Sequence, residues 1–431
     1  MLFIKIWKSK INGGALYYTV FIALVISLFL GFFILTTLYK NRYLEGQIKR
    51  DEIISNVYSG INLMLGDPSY ISFDETKVIN LYDEGENRIK IQKKRWGVFQ
   101  IFISESNWRD FHYERIAFVG DDIFQSEGVA LYLTDQGKYI SLSGNSSLVG
   151  TCYIPKPGIR RASIEGKGFT NDKLIYGTQK ISSKKLPEIN SDVFHDPIVY
   201  LSGNKNPSDS LIYLMKILQE EELNNSFLNQ TILVYSEEKI LLDHFNLSGN
   251  IRIISSNSIE VMSGCILEDI ILYAPVILVR SGFSGKLQAF AFEKIIIEEN
   301  CSLDYPSVLG VIQSEYLNMA TTKDTESTII IDKNSTVSGC VLLYSKPNRA
   351  KLIITEQSEI YGQVYCNGSV EHKGRITGSL YCNLFTLAEG SSLYENHLLD
   401  AVIDFNSLSK HYVGLNIISG QGNKKIIKWL N

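Results

Sequence analysis

Acidic pairs, cysteines and basic clusters are where this chain could do chemistry. Asp121-Asp122 and Glu268-Asp269 supply the residue types of a general acid and base, as a polysaccharide-cleaving enzyme would need. Neighbours along a strand point to opposite faces, so neither pair is a ready-made dyad. The six histidines are scattered without the spacing of a metal site. Six cysteines, Cys152, Cys265, Cys301, Cys340, Cys366 and Cys382, contain no Cys-x-x-Cys pair. They read as small buried residues, with disulfides as the alternative. Lys93-Lys94-Arg95 reads as a solvated hairpin tip, and Trp96 and Trp108 as core or rim aromatics, with sugar stacking the alternative. No Walker loop, dinucleotide fingerprint, Gly-x-Ser-x-Gly or His-Glu-x-x-His occurs. No catalytic, metal or cofactor-binding residue is assigned, and the expectation is a protein that is not an enzyme and has no cofactor.

What must position any site is a repeat in the C-terminal third. An apolar-x-Gly-x-apolar phrase centres on Gly249, Gly264, Gly285, Gly339, Gly362 and Gly378. Apolar residues two before and two after each Gly share strand parity and face one core. The 16-residue spacing from Gly362 to Gly378 sets Tyr365 over Tyr381 and Cys366 over Cys382. Short strands with Gly or Asn/Ser corners, repeating through 231–405, predict a right-handed parallel β-helix. Val364 and Leu380 should then be buried, while Gln363 and Ser379 face away and should tolerate replacement. A β-sandwich with Gly turns is the alternative fold. The Gly-punctuated phrases over about 245–400 resemble bactofilin-like scaffolds, which implies stacking into filaments. Those scaffolds lack the long domain that precedes the coil here.

The N-terminus carries the second signal. A basic leader, 1–14, holds Lys5, Lys8 and Lys10 and ends in Gly14; Ala15–Leu38 follows with 24 residues and no charge. That run can span a hydrocarbon core of about 30 Å and predicts a transmembrane helix whose partner is the lipid bilayer. An amphipathic stem, 39–66, shows an apolar stripe at Ile54, Val57, Ile61 and Met64/Leu65, and Gly66-Asp67-Pro68 ends it. Leader, apolar helix and stem together resemble minor pilins and pseudopilins. The resemblance implies cleavage between Gly14 and Ala15 and packing with pilus-like or envelope partners. This sequence departs from that family at Thr19, where a Glu is usual, and a tip or initiating subunit suits the departure. A plain membrane anchor remains the alternative.

Between these lie a small β-rich domain (69–138), first β-helix coils (139–177) and a helical insertion (178–230). In the insertion, Ser208-Asp209-Ser210 reads as a cap for a helix bearing Leu211, Leu214, Met215 and Leu218. This helix, or the C-terminal tail (406–431), is expected to cap the open end of the coil. The fold class is therefore mainly β, with an N-terminal transmembrane helix, a β-rich domain and a β-helix. A net charge of −4 with no block of like charge excludes a nucleic-acid footprint. The expected function is a single-pass, membrane-anchored structural or adhesive surface protein. Its body would lie outside the inner or cytoplasmic membrane. The alternative is a β-helix protein that binds or degrades polysaccharide, with carbohydrate as its partner.

Overall fold

A computed structural model describes residues 13–81, 88–125, 128–204, 209–213, 222–313, 326–346, 349–418 and 422–430. The leader upstream of Gly13 lies outside the described residues. Helix α1 runs unbroken over Gly13–Gly66, 54 residues, or about 80 Å at 1.5 Å per residue. No proline interrupts it before Pro68, and the Asp67 carboxylate accepts the Ser69 N–H (3.0 Å) to turn the chain just beyond its end. The two expected segments, 15–38 and 39–66, are thus one rod with different surroundings. Its first half is exposed, whereas Ile53, Val57, Ile61 and Met64 are buried. Ile53 takes the place expected for Ile54, which is only half-buried.

The buried stripe lies on an antiparallel sheet. Its strands are β1 (Thr76–Asn80), β2 (Arg88–Trp96), β3 (Phe99–Trp108), β4 (Phe111–Asp121) and, beside β4, Lys424–Leu430. Alternation divides its side chains cleanly. Ile89, Ile91, Phe102, Ala117 and Val119 pack on the helix; Trp96, Phe99, Ile101, Ile116 and Phe118 turn to the other side. The C-terminal segment is therefore no free tail. It closes the sheet, with Leu430 opposite Ile116.

Lys93-Lys94-Arg95 is not a hairpin tip but part of β2; the turn falls at Gly97-Val98, where Gly97 has φ +62°. Parity puts Lys93 on the helix side with Ile91. Its ammonium therefore reaches past the end of α1 to donate to the Pro68 carbonyl (2.7 Å). Burial, then the charges of Lys424 and Arg95, lowers the Lys93 pKa to about 8.

Gly60 is where helix and sheet come closest, since a Cβ there would lie 2.4 Å from Ser104 Oγ and 2.8 Å from Ile89 Cδ1. Gly60→Leu should therefore cost roughly 1–3 kcal/mol by overpacking. Urea denaturation would detect it, and Gly46→Leu, with open space around it, should cost nothing comparable.

The rest of the chain is a parallel β-solenoid. One inner ladder climbs Leu303, Val337, Ile360, Ile376, Ile403 and Leu148 in register. A second climbs Leu309, Val341, Val364, Leu380, Leu131 and Cys152. Both are buried, and the Tyr365–Tyr381 and Cys366–Cys382 pairs stand as the spacing predicts. The register shows that the early segment supplies the last coils rather than the first. Val129–Leu133 and Ser147–Ile154 stack beyond the coil that ends at Asp404. Val129–Leu133 accordingly belongs to the solenoid and not to the small domain.

Those early coils leave the chain at the opposite end of the stack from Ser210–Tyr213, its next solenoid strand. Residues 182–204 run back along the solenoid as a strap. Ser183 meets Tyr132, Pro187 meets Tyr365, Phe194 meets Tyr344 and Tyr200 meets Tyr273. The strap contains the short helix α2 (His195–Leu201). The helix expected to start at Ser208-Asp209-Ser210 does not begin there: Ser210–Tyr213 is a strand paired with Ile232–Tyr235, while Ser208 and 214–221, with Leu214, Met215 and Leu218, lie outside the described residues. A parallel partner strand overrides the local helical spacing. Strap and C-terminal segment cover a flank of the solenoid rather than an open end. This also corrects the expectation for Gln363 and Ser379, which face outward yet are covered. Gln363 donates to the Leu415 carbonyl (3.0 Å) and accepts its N–H (2.7 Å).

Candidate functional surfaces and the junction behind them

The exposed half of α1 is the first candidate surface. Leu16, Phe21, Phe29, Phe33 and Leu35 all stand open, and this helix is long and apolar enough to cross a membrane. Its threonines are turned inward on the helix itself. Thr19 donates to the Leu16 carbonyl, Thr36 to Phe32 and Thr37 to Phe33, each at 2.8 Å. Such back-bonding hides hydroxyls from hydrocarbon. Gly14 and Ala15 lie in the first turn, both exposed.

Behind it, the turn of β2 and β3 is gripped by the solenoid. Asp196 on α2 is buried and accepts from the Gly97 N–H (2.8 Å), Arg252 Nη1 (3.2 Å) and the Tyr273 hydroxyl (3.4 Å). Gln288 clasps the same turn, accepting from the Val98 N–H (3.1 Å) and donating to the Trp96 carbonyl (3.0 Å). Trp96 Nε1 donates to the Asp269 carbonyl (3.2 Å). Arg252 lies under the faces of Tyr200 (4.1 Å) and Trp96 (4.9 Å). Burial opposes its charge, but Asp196 and the two phenols outweigh that and raise its pKa. Burial likewise pushes the Tyr200 and Tyr273 hydroxyls up. The arrangement holds two domains in one orientation; a charge-assisted cluster of this kind fixes geometry.

The sequence candidates fall differently. Each acid of the two pairs meets a lysine: Asp121 with Lys424 (2.7 Å), Asp122 with Lys425 (2.7 Å), Glu268 with Lys286 (3.0 Å) and Asp269 with Lys428 (2.6 Å). They bind the sheet domain's last strand and a neighbouring coil, and neither pair converges on a cleft. All six cysteines are buried free thiols. Trp96 is buried, and Trp108 is half-covered with the Arg109 guanidinium 4.4 Å from its ring centre. Of the six glycines, Gly339, Gly362 and Gly378 stack in one column. Gly249 faces Asn225 in another strand pair, Gly285 faces Leu303, and Gly264 sits in a turn.

Asp196, Arg252 and Gln288 were not among the sequence candidates. The signal for one of them was present: Arg252 interrupts the apolar run Ile251–Ile254, and a charge in a buried strand needs a partner.

His372 is the other buried oddity, ending the ladder Val261, Val279, Ile297, Ile331, Ile354. Its Nε2 donates to the Val402 carbonyl (3.1 Å), and burial lowers its pKa from 6.5 to about 4. The unfolded chain therefore binds the extra proton between those values. Stability is full above about pH 6.5 and is lost as pH falls toward 4, by about 3 kcal/mol in total. The loss of unfolding free energy from pH 7 to 4.5 should be about 2 kcal/mol smaller in His372→Leu.

Fold and surfaces together define a class: a long helix laid on an antiparallel sheet, joined through buried hydrogen bonds to a parallel β-solenoid. No family model matches the sequence, and no curated protein matches it. Among solved structures it is similar to the competence-associated pilin ComZ from Thermus thermophilus. That comparison covers 88% of this chain and 96% of ComZ at 11% identity, with a TM-score of 0.26. A superposition at that score carries no functional argument.

Proposed function

We propose that this is a single-pass, membrane-anchored, non-enzymatic structural or adhesive protein of the cell envelope, held by residues 15–38 with its body outside the cytoplasm. The observation that carries the reading is the division of α1. One half is uncharged and exposed, with its threonine hydroxyls bonded to its own carbonyls, and the other is buried on the sheet. The same helix supports a pilus-like role, in which its exposed half packs among neighbouring helices after cleavage at Gly14–Ala15. Thr19, whose hydroxyl is engaged with Leu16, cannot offer a carboxylate to a neighbour's new amine, so the chain suits a tip or initiating position.

Two measurements test this. A reporter active only in the cytoplasm, fused after Asn431, should be silent; a bright one overturns the topology. Mass spectrometry of the membrane-extracted protein should find a mature chain starting at Ala15. An intact Met1 leaves the anchor and removes the pilus-like role.

A further inference from the structure

Antiparallel pairing of β3 with β4 assembles a donor set that the spacing of the histidines does not suggest. Glu105 stands directly opposite Glu114, and Asn107 opposite His112, with Trp108 and Phe111 closing the hairpin. Residues two apart share a face, so Glu105, His112 and Glu114 converge on the same side. Their ligand atoms all lie within 4.8 Å of one another.

His112 Nε2 and Glu114 Oε2 are 3.4 Å apart. Two ligands at about 2.1 Å from one tetrahedral ion stand about 3.4 Å apart, so this edge is already set for zinc. The β3–β4 hairpin, flanked by β2 as far as Glu105, ends near the exposed half of α1, where Arg50 lies 5.3 Å from the Phe111 ring centre.

Charge gives an independent reason. Like charges directly opposite across a ladder repel. Lys90, opposite Glu105 on β2, pairs with that carboxylate. Among the described residues, Glu114 has only the His112 ring as its ion-pair partner, and the ring must be protonated to count as one. With a neutral imidazole, two carboxylates share one ammonium. A divalent ion supplies the missing charge and uses the imidazole as a neutral donor.

We propose that Glu105, His112 and Glu114 bind one divalent transition ion, zinc foremost, with solvent completing its shell, and that the ion staples the β3–β4 hairpin. Lys90 is then a competitor that zinc displaces from Glu105, not part of the site.

The test uses the full chain in detergent, stripped with chelator and titrated calorimetrically with zinc. One equivalent should bind, and zinc should raise the melting temperature. His112→Ala and Glu114→Gln should each weaken binding at least tenfold without lowering the metal-free melting temperature, which Glu114→Gln should raise slightly by removing one of two facing carboxylates. Lys90→Ala should tighten it several-fold by freeing Glu105. Several weak sites indifferent to His112→Ala, no binding, or weaker binding in Lys90→Ala would each overturn the proposal.

Discussion

Gly362→Ala is expected to destabilise the solenoid by roughly 3–5 kcal/mol, combining backbone strain with overpacking. Gly362 has φ +141°, and a Cβ on it would sit 2.0 Å from the Gly339 carbonyl oxygen and 2.4 Å from the Tyr412 hydroxyl. Its neighbours repeat the arrangement. A Cβ on Gly339 would meet the Ser307 carbonyl at 1.9 Å, and one on Gly378 the Gly362 carbonyl at 1.8 Å. The obstacle is backbone of the next coil, which cannot step aside without breaking its own ladder. Gly137→Ala is the control, because it too has positive φ (+72°) but only open space around it. It should show the conformational cost alone, about 1 kcal/mol. Similar urea midpoints for the two variants would mean that the column tolerates side chains.

Asp196→Ala should cost about 3–5 kcal/mol, the usual penalty for leaving a buried charge without its partner. Arg252 is 4% exposed, so solvent cannot replace the lost carboxylate. The same change strips the acceptor from the Gly97 N–H, so the β2–β3 turn should loosen with it. Replacing both members, as Asp196→Leu with Arg252→Met, should recover much of the loss, because a buried pair costs desolvation that an apolar pair does not. Chemical denaturation of the two variants beside the unaltered protein settles the point. A double variant no better than Asp196→Ala would show that the contacts to Gly97 and Tyr273, rather than the ion pair, hold the junction.

The solenoid was legible because its evidence is periodic. Tyr365, Tyr381, Cys366 and Cys382 could be stacked from a 16-residue spacing, and Ile360, Val364, Ile376 and Leu380 from parity about a glycine. The helix was legible from composition, since no charge occurs over Ala15–Leu38. What escaped depends on pairings distant in sequence. Nothing local tells Ser210–Tyr213 that Ile232–Tyr235 will lie beside it, so helical spacing prevails in a reading of the segment alone. The outward Gln363 reads as solvated until Leu415 is laid over it. The junction cluster joins residues 97, 196, 252, 273 and 288, which no spacing rule connects. The Glu105–His112–Glu114 set lies within one hairpin, but it needs the turn fixed at Arg109-Asp110 to be seen.

Placing an early segment at the far end of the stack dictates when the molecule can be finished. Leu131 leaves the ribosome well before Leu380, its ladder partner, and β4 well before Lys424–Leu430. At roughly 5–20 residues per second, the wait for a segment some 250 residues downstream is between about ten seconds and a minute. Until then the early coils, although Val129–Tyr132 can pair with Thr151–Tyr153, present one edge that lacks Leu380–Cys382 and Val402–Asp404, next to a helix that itself must be kept from water. Such a chain gains little from folding as it emerges, because contacts this distant are slow to form. Synthesis coupled to membrane delivery, or a chaperone that holds the nascent edges, would protect it during that interval. Emergence of Lys424–Leu430, rather than completion of any single coil, is then the event that releases the body to close.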